Sequence, residues 1–484
     1  MSSAPVPVVG FDLDMTLVDS RERIVTCLSA TLAAHGAPVD DGAIWRCIGL
    51  PLETALGRLA PAHDVTALAR EYRARHDAPD APPVAVLPGA AEALRAVRDA
   101  GGRTLVVSAK VQPALEKLLA DTALAPLVDE AVGGRYGPQK GEVLRDRGAT
   151  AYVGDHPGDV VAARTGAAAS VAVATGPHTA AELAAGGPDV LLDHLHAFPG
   201  WLDEHVLDLR LAALDARLRE LGSVLVAFSG GADSALLLAA AVRALGPDRV
   251  AAATAVSGSL ASGELDDARR LADELGVRLL TPATREIERE GYRANAGDRC
   301  YFCKAELLDV LRPFAAEHGL AHVATGTNAD DAVAGFRPGI RAAAERGAVT
   351  PLLDAGLTKA QVRAASRRWG LRTSDKPAAA CLSSRIAYGV PITPRRLARV
   401  DRAEAALRRV LRDAGIAVSD LRVRDLGENR ARVEVDAARV EDVAGLREAG
   451  RAVLDAGFDD VHVDPRGFRS GSMNELLADP ARYR

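Results

Sequence analysis

The chain has 484 residues, more than one hydrophobic core organises, so two or three domains are expected. It is 48% hydrophobic and 26% charged with a net charge of -6, the composition of a soluble globular protein, with no support for an extended nucleic-acid surface. No run approaches the ~20 apolar residues of a membrane span, and MSSAPVPVV lacks the charged and apolar regions of a signal peptide, so a cytoplasmic protein is expected.

Val8 to Phe11 reads as a short buried strand, and Asp12 and Asp14 stand at its end. Two carboxylates spaced i, i+2 at a strand end can share one site, one attacking phosphorus while the other moves a proton. Ile24, Leu28 and Leu32 follow at helical spacing in a segment, about 20–84, where Cys27 and Cys47 read as core residues. Thr104 to Val107 is a second strand, ending in Ser108, and Lys140 lies in the polar loop YGPQKGE. A third strand, Ala151 to Val153, leads into GDHPGDV with Asp155 and Asp159. In this order the motifs resemble the haloacid dehalogenase (HAD) phosphohydrolase superfamily. The resemblance implies Asp12 as nucleophile and Asp14 as general acid/base. Ser108 and Lys140 would hold the phosphoryl group. Mg²⁺ would be held by Asp12, Asp155 and Asp159, with Asp14 beside them. It also implies a Rossmann-like domain over 1–198 with a small helical cap at 20–84, acting on an unidentified small phosphorylated substrate.

AFPGW is a Pro/Gly break, and 199–208 reads as a linker ahead of an amphipathic helix at Leu209 to Leu221. An apolar strand, Val224 to Phe228, then breaks at Ser229-Gly230-Gly231, and a helix begins near Ser234. Glycines let backbone N–H groups approach a ligand, and the helix N-terminus suits phosphate. No lysine follows the glycines, so this is not the GxxxxGK[ST] loop. Ser229, Gly230, Gly231, Asp233 and Ser234 resemble the SGGxDS loop of the PP-loop superfamily, which splits ATP into AMP and pyrophosphate. Val250 to Val256, Gly263 to Leu275 and Val277 to Leu280 alternate strand and helix, as a doubly wound parallel sheet requires.

Five cysteines do not make a disulfide framework in a chain of this length, and reduced thiols are expected. Cys300 and Cys303 form a CxxC, and Cys381 stands far along the chain. A redox pair or half a zinc site would fit the CxxC alone. Three thiolates fit a [4Fe–4S] cube with one open iron.

From about 205 to 475 the chain resembles the ATP-dependent sulfur transferases of the LarE family. Those insert sulfur into pyridinium-3,5-biscarboxylic acid mononucleotide during synthesis of the nickel-pincer cofactor. The matching blocks are SGGADS (229–234), TAVSGSL (254–260), DRCYFCK (298–304), GTNADD (326–331), LLDAGLTKAQVR (352–363), KPAAACLSSRIAYGVPIT (376–393) and GFRSGSMN (467–474). The three-cysteine pattern implies sulfide passed on by a [4Fe–4S] cluster; without a cluster, Cys381 would give up its own sulfur. Asn328 and Asp331 would line the nucleotide site, although NADD is equally a turn sequence. Arg385, Arg422 and Arg424 match positions near the substrate phosphate, and Glu404 and Glu434 match acidic positions suspected of holding metal.

The sequence thus predicts an α/β protein: a HAD domain with its cap, a doubly wound PP-loop domain over 209–395, and a smaller α+β domain over 396–484 for substrate binding and oligomerisation. The expected function is a bifunctional enzyme using ATP, Mg²⁺ and a [4Fe–4S] cluster on small molecules, assembled as a homo-oligomer, with no nucleic-acid or membrane partner. Thiolation of a tRNA base, or of a natural-product acid, are alternatives. A degenerate binding module is a third, against which the intact Asp12, Asp14 and SGGADS speak.

Overall fold

Val8–Phe11 (β1) is buried on both faces, as its unbroken apolar run requires of a strand covered by helices on each side. In the computed structural model, which describes residues 4–333, 338–376, 381–469 and 472–473, this strand is an inner one of a six-stranded parallel sheet. The others are Arg103–Val107 (β2), Glu130–Val132 (β3), Ala151–Gly154 (β4), Ala169–Val173 (β5) and Val190–Leu192 (β6). Their order is β3-β2-β1-β4-β5-β6. The chain leaves β1 for one side of the sheet and later returns to the other. The carboxyl ends of β1, β2 and β4 therefore face a crevice where a ligand can sit. Asp12, Ser108 and Asp155 each stand directly after one of those strands.

Between β1 and β2 lies a helical insert: Arg21–Ala34, Asp41–Trp45, Leu52–Leu59 and Val65–His76. Ile24, Leu28 and Leu32 pack with Ile44, Leu56 and Leu68 into a core of their own, so the helical spacing read in the sequence is the buried face. A two-residue ribbon, Val18–Asp19 against Ala85–Val86, closes the insert at its base.

Contacts divide the chain into an N-terminal unit, Val6–Leu209, and a C-terminal unit that begins at Arg210 and includes Ala4 and Pro5. The stretch 199–208 is not an extended linker. It is helical, part of Phe198–Leu221. Pro199 is tolerated because the first helical N–H groups have no intrahelical acceptor. Phe198, Leu202 and Val206, four apart, enter the N-terminal core.

In the C-terminal unit Val224–Ala227 (β7), Val250–Ala253 (β8), Arg278–Leu280 (β9) and His322–Thr325 (β10) form a parallel sheet of order β9-β8-β7-β10. Again the chain crosses over at the central strand, β7, and the loops after β7, β8 and β10 meet at one end. The predicted doubly wound arrangement is present. A second, three-stranded sheet follows: Leu421–Asp425 (β11), Arg430–Val435 (β12) and Asp460–Val463 (β13), the first pair antiparallel and the second parallel. The long helix Pro394–Asp413 packs Leu397, Val400, Leu407 and Leu411 against that sheet. No helix among the described residues is long and apolar enough to cross a membrane.

Candidate active sites

The first site stands at the end of β1. Lys140 is buried, its Nζ 3.0 Å from Asp12 Oδ1 and 2.7 Å from Asp159 Oδ1. Asp159 also accepts the backbone N–H of His156 at 3.1 Å, which fixes it at the start of helix Pro157–Thr165. Thr16 donates to Asp155 Oδ1 at 2.8 Å, while Asp155 Oδ2 is buried with no hydrogen-bond partner among the described residues. Asp12, Asp155 and Asp159 place ligand oxygens within 4.8 Å of one another. Burial, then the neighbouring carboxylates, push the Asp12 carboxyl up to about 7 despite Lys140. Asp155 is raised well above the carboxylate range by burial and by Asp12. Three buried carboxylates sharing one lysine are short of positive charge, and an unpaired oxygen points among them. That donor set fits a hard divalent cation such as Mg²⁺.

Asp14 does not join this group. Its Oδ2 lies 3.0 Å from Lys110 Nζ. Burial works against its charge, but Lys110 and the Ser20 hydroxyl outweigh burial and hold the carboxyl below its usual range. Of the expected metal set, Asp14 is therefore the member the structure turns away, because a lysine two residues after Ser108 claims it. Ser108 is buried and accepts the N–H of Lys110 at 3.2 Å. A cavity of about 170 Å³ opens from Asp12, Asp14 and Ser108 towards the helical insert. Its walls include Ile24, Leu28, Leu52, Tyr72 and His76. Cys27 is buried as expected, whereas Cys47 is half-buried and lines this cavity.

The second site is the SGGADS loop. Gly230 has φ +70°, a left-handed conformation that a side chain would strain. The helix begins at Ala232, two residues earlier than the sequence suggested, so Asp233 and Ser234 sit in its first turn. Ser234 Oγ donates to Gly231 O at 3.1 Å and accepts the Ser229 N–H at 3.3 Å, folding the loop over the helix end. The GTNADD segment packs beside it, because a Cβ at Gly326 would lie 2.9 Å from Ser234 N. Asn328 Nδ2 donates to Asp233 Oδ1 at 2.9 Å. The N–H of Asn328 donates to Asp331 Oδ2 at 3.2 Å and the N–H of Asp331 to Asn328 Oδ1 at 3.1 Å. NADD is thus the start of the short helix Ala329–Val333, rather than a turn, and a neighbour of the phosphate-type loop.

A cavity of about 370 Å³ runs from this loop to the thiols, bordered by Ser229, Asp233, Ser234, Lys304, Cys303 and Cys381. Cys300 and Cys381 are exposed and Cys303 half-buried. The Cys303 thiol is pushed up by burial, by Cys381, by Glu286 and by Cys300, so the three sulfurs share one neighbourhood. Burial works against the charge of Arg299, yet Cys381 and Cys300 raise its pKa. That guanidinium donates to Ser383 O at 2.9 Å and so ties the CxxC helix to the Cys381 segment. Among the described residues only Asp12, Asp155 and Asp159 bring three ligand atoms within 4.8 Å. Sulfurs around a single tetrahedral zinc would be ~3.8 Å apart at Zn–S bonds of ~2.3 Å. Residues 377–380 of the Cys381 block, and 470, 471 and 474 of the last block, lie outside the described residues.

Among the described residues Glu404 and Glu434 are engaged by arginine. Arg385 Nε lies 3.0 Å from Glu404 Oε1, with both side chains buried. Arg424 and Arg432 each reach Glu434 at 2.7 Å. Full burial makes each carboxylate dependent on those guanidiniums for its charge. Arg422 stacks over Phe468 with its carbon 5.2 Å from the ring centre. Burial, then Arg385, lowers its pKa, which places two cations side by side near Glu264 on the cavity wall.

The sequence reading passed over Lys110, His76, Glu264, Glu286 and Lys304. Glu286 is buried and accepts hydroxyl hydrogen bonds from Ser257 and Ser259, the latter at 2.7 Å. Ser259 O in turn accepts the Leu382 N–H at 2.9 Å, next to Cys381.

Comparison with known proteins agrees with this division of labour. Residues 9–173 match the haloacid dehalogenase-like hydrolase family. Over 272 residues, 56% of this chain and 96% of the relative, the chain is 35% identical to the pyridinium-3,5-bisthiocarboxylic acid mononucleotide synthase of Lactiplantibacillus plantarum. A Synechocystis protein is 41% identical over 276 residues, 56% of this chain and 99% of its own length. The probable phosphatase IndB of Dickeya dadantii is 34% identical over 205 residues, 39% of this chain and 89% of its own.

Proposed function

Because the chain belongs to the LarE family of sulfur transferases and carries a HAD-like hydrolase domain at its N-terminus, it is a bifunctional enzyme, and we propose the chemistry of each half as follows. The C-terminal unit activates a carboxylate with ATP and replaces one of its oxygens by sulfur, with pyridinium-3,5-biscarboxylic acid mononucleotide as the substrate the relative's name points to. A carboxylate oxygen is a poor leaving group. Attack of the carboxylate on the α-phosphorus of ATP expels pyrophosphate and forms an acyl-adenylate. Sulfur then attacks the activated carbonyl and AMP leaves with the former carboxylate oxygen.

The Ser229–Ser234 loop binds the phosphates through its N–H groups and helix end, and Asp233, held by Asn328, would bind an ATP-bound cation. Arg385 and Arg422 border the acid's phosphate. A [4Fe–4S] cluster bound by Cys300, Cys303 and Cys381 would supply a sulfide at its open iron; otherwise Cys381 transfers its own sulfur. The observation that carries this reading is the single cavity joining the SGGADS loop to Cys303 and Cys381, so adenylate and sulfur donor meet in one space.

The test is anaerobic incubation of the whole protein with ATP, sulfide and that acid. The expected result is AMP and pyrophosphate in equal amounts, with a product bearing sulfur in place of a carboxylate oxygen by mass spectrometry. Asp233→Ala removes all three. ADP as the nucleotide product would refute the assignment.

The N-terminal unit hydrolyses a phosphomonoester. Asp12 attacks phosphorus; Asp14, ionised beside Lys110, takes the proton of the phosphomonoester monoanion, passes it to the leaving oxygen and then takes one from the attacking water, and Ser108 and Lys140 hold the phosphoryl oxygens. Mg²⁺ held by Asp12, Asp155 and Asp159 would neutralise phosphoryl charge.

This metal site predicts a pH dependence. The folded pKa of Asp12 is about 7, against ~3.9 in an unfolded chain. A raised pKa contributes stability below ~4 that is lost as pH rises through about 7. Above that the Asp12 carboxylate is ionised, and a divalent cation relieves its buried charge without displacing its proton. Mg²⁺ is therefore expected to raise the melting temperature of the N-terminal unit more at pH 8 than at pH 5. At a hundredfold excess over Kd the gain is about 2.7 kcal/mol. Calorimetry with Mg²⁺ and with EDTA decides it, and an equal gain at both pH values would contradict the site.

A further inference from the structure

In the cavity that joins the SGGADS loop to the thiols, the carboxylate beside the sulfurs has no cation partner. Glu286 opens the short helix Glu286–Glu288 after β9. The segment that follows β9 runs beside the one that follows β8, tied by the Val256 N–H to Pro282 O at 2.9 Å and the Thr284 N–H to Val256 O at 3.2 Å. That pairing sets Glu286 against Ser257 and Ser259, whose hydroxyls both donate to Oε1, the second at 2.7 Å. The residue is 4% exposed and borders the cavity. Its other oxygen, Oε2, takes no hydrogen bond among the described residues, yet it is not sealed off as Asp155 Oδ2 is, so it opens on the cavity. Lys304 stands on the same wall without pairing with it. A buried carboxylate with hydroxyl donors on one oxygen and nothing on the other is short of positive charge.

Its position says which cation would suit it. Cys303 and Cys381 border the same cavity, and after burial and Cys381 it is Glu286 that pushes the Cys303 thiol up. Ser259, bonded to Glu286 through its hydroxyl, also accepts the Leu382 N–H at 2.9 Å, one residue from Cys381. Sulfur donated here has to meet an acyl carbon, and whatever carries that carbon lies near Glu286. In the acid proposed above, the ring nitrogen has a fixed positive charge and is one carbon away from the carbon that bears the carboxylate. Adenylation removes the charge of that carboxylate, which leaves the pyridinium as the nearest positive charge on the substrate to the reacting carbonyl. A neutral ring in the same place would leave Glu286 uncompensated, which is how a site rejects a close analogue.

We propose that Glu286 reads the charge of the substrate ring: Oε2 faces the pyridinium while the activated carbonyl faces the sulfur donor, so the site selects carboxylates borne on a cationic ring. The inference rests on the adenylating sulfur-transfer reading of the C-terminal unit and adds to it the group that recognises the ring.

The test follows pyrophosphate release by the full chain, with ATP and Mg²⁺, on two acids. One is the pyridinium mononucleotide, and the other its carbon isostere, in which a benzene ring joined to the ribose through carbon replaces the pyridinium. Taking away the charge opposite a buried carboxylate leaves it unpaired, and a preference for the pyridinium acid of about tenfold or more in kcat/KM is expected, carried by KM. Glu286→Gln keeps the shape and the oxygen that takes the two serine hydroxyls. It should bring the ratio close to one by raising KM for the pyridinium acid alone. Glu286→Asp, which keeps the charge at a shorter reach, should retain part of the ratio, and a thermal melt of each variant establishes that it is folded. Equal kcat/KM on the two acids in wild type, a ratio that survives Glu286→Gln, or a loss of kcat in that variant equal on both acids with both KM values unmoved would overturn the inference and leave the adenylation reading intact. If neither acid yields AMP and pyrophosphate, the adenylation reading itself falls, and this inference with it.

Discussion

Asp12→Asn is expected to abolish phosphate-ester hydrolysis, by a factor on the order of 10⁴ or more, the size of loss seen when a covalent nucleophile is removed. The amide has nearly the same shape, so Lys140 and Asp159 keep their contact at 2.7 Å, but its nitrogen cannot attack phosphorus and its neutral oxygen is a weaker ligand for a cation. One negative charge is lost, and Lys140 then has one carboxylate partner in place of two. The protein should remain folded. Formation of AMP and pyrophosphate should continue, because the SGGADS loop belongs to the other unit. Phosphate release measured beside pyrophosphate release on the same preparation reads both. If the variant retained more than about a tenth of the hydrolysis, a water-activating role would replace the nucleophilic one. The same variant tests whether the two sites work in series. Should the C-terminal reaction run no slower and its products accumulate no differently, the phosphatase does not consume them.

Much of the fold was legible because apolar runs of four or five residues alternate with helical spacing. β7 and β8 are of this kind, and so are β1, β2 and β4. The chemistry-bearing residues follow these strands directly. Asp12, Ser108, Asp155 and Ser229 could be placed at sheet ends from local sequence alone. Boundaries were less readable. Pro199 and Gly200 signal a break, yet apolar residues four apart carry the helix Phe198–Leu221 through them, since tertiary burial of Phe198 and Leu202 outweighs local preference.

Partnerships formed across the fold were not legible. Lys110 reaches Asp14 only because β1 and β2 are neighbours in register, Phe11 opposite Val106. The fate of Glu434 depends on antiparallel register in the same way. Arg422 lies directly opposite it and Arg424 diagonally, and it is the diagonal arginine that reaches it. Cysteine spacing carried the reading of the second site further, because a CxxC with a distant third thiol has few chemical uses.

Cys381→Ala is expected to remove sulfur transfer by either route, at least a thousandfold on the scale of losing an essential catalytic group, while ATP is still split to AMP and pyrophosphate in the presence of the acid. The reason is positional. Cys381 caps the short helix Leu382–Arg385 and borders the cavity shared with the SGGADS loop. Its segment is pinned on both sides, by the Leu382 N–H to Ser259 O at 2.9 Å and by Arg299 to Ser383 O at 2.9 Å. Removing one sulfur leaves those struts in place, so the loss reports chemistry and not collapse. Reconstituted anaerobically, the wild-type chain should hold about four irons. Cys381→Ala, Cys300→Ala and Cys303→Ala should each lose most of them, whereas Cys27→Ala, buried in the other unit, should not. Iron content and intact mass together separate the two routes. Four irons with an unchanged chain mass after turnover means that the cluster carries the sulfide. A chain lighter by one sulfur at Cys381 after a single turnover means that the cysteine itself was consumed. Stoichiometric zinc with no iron, combined with undiminished transfer in Cys381→Ala, would refute both, and the sulfur would then have to enter the cavity free and attack the adenylate without a protein-bound carrier.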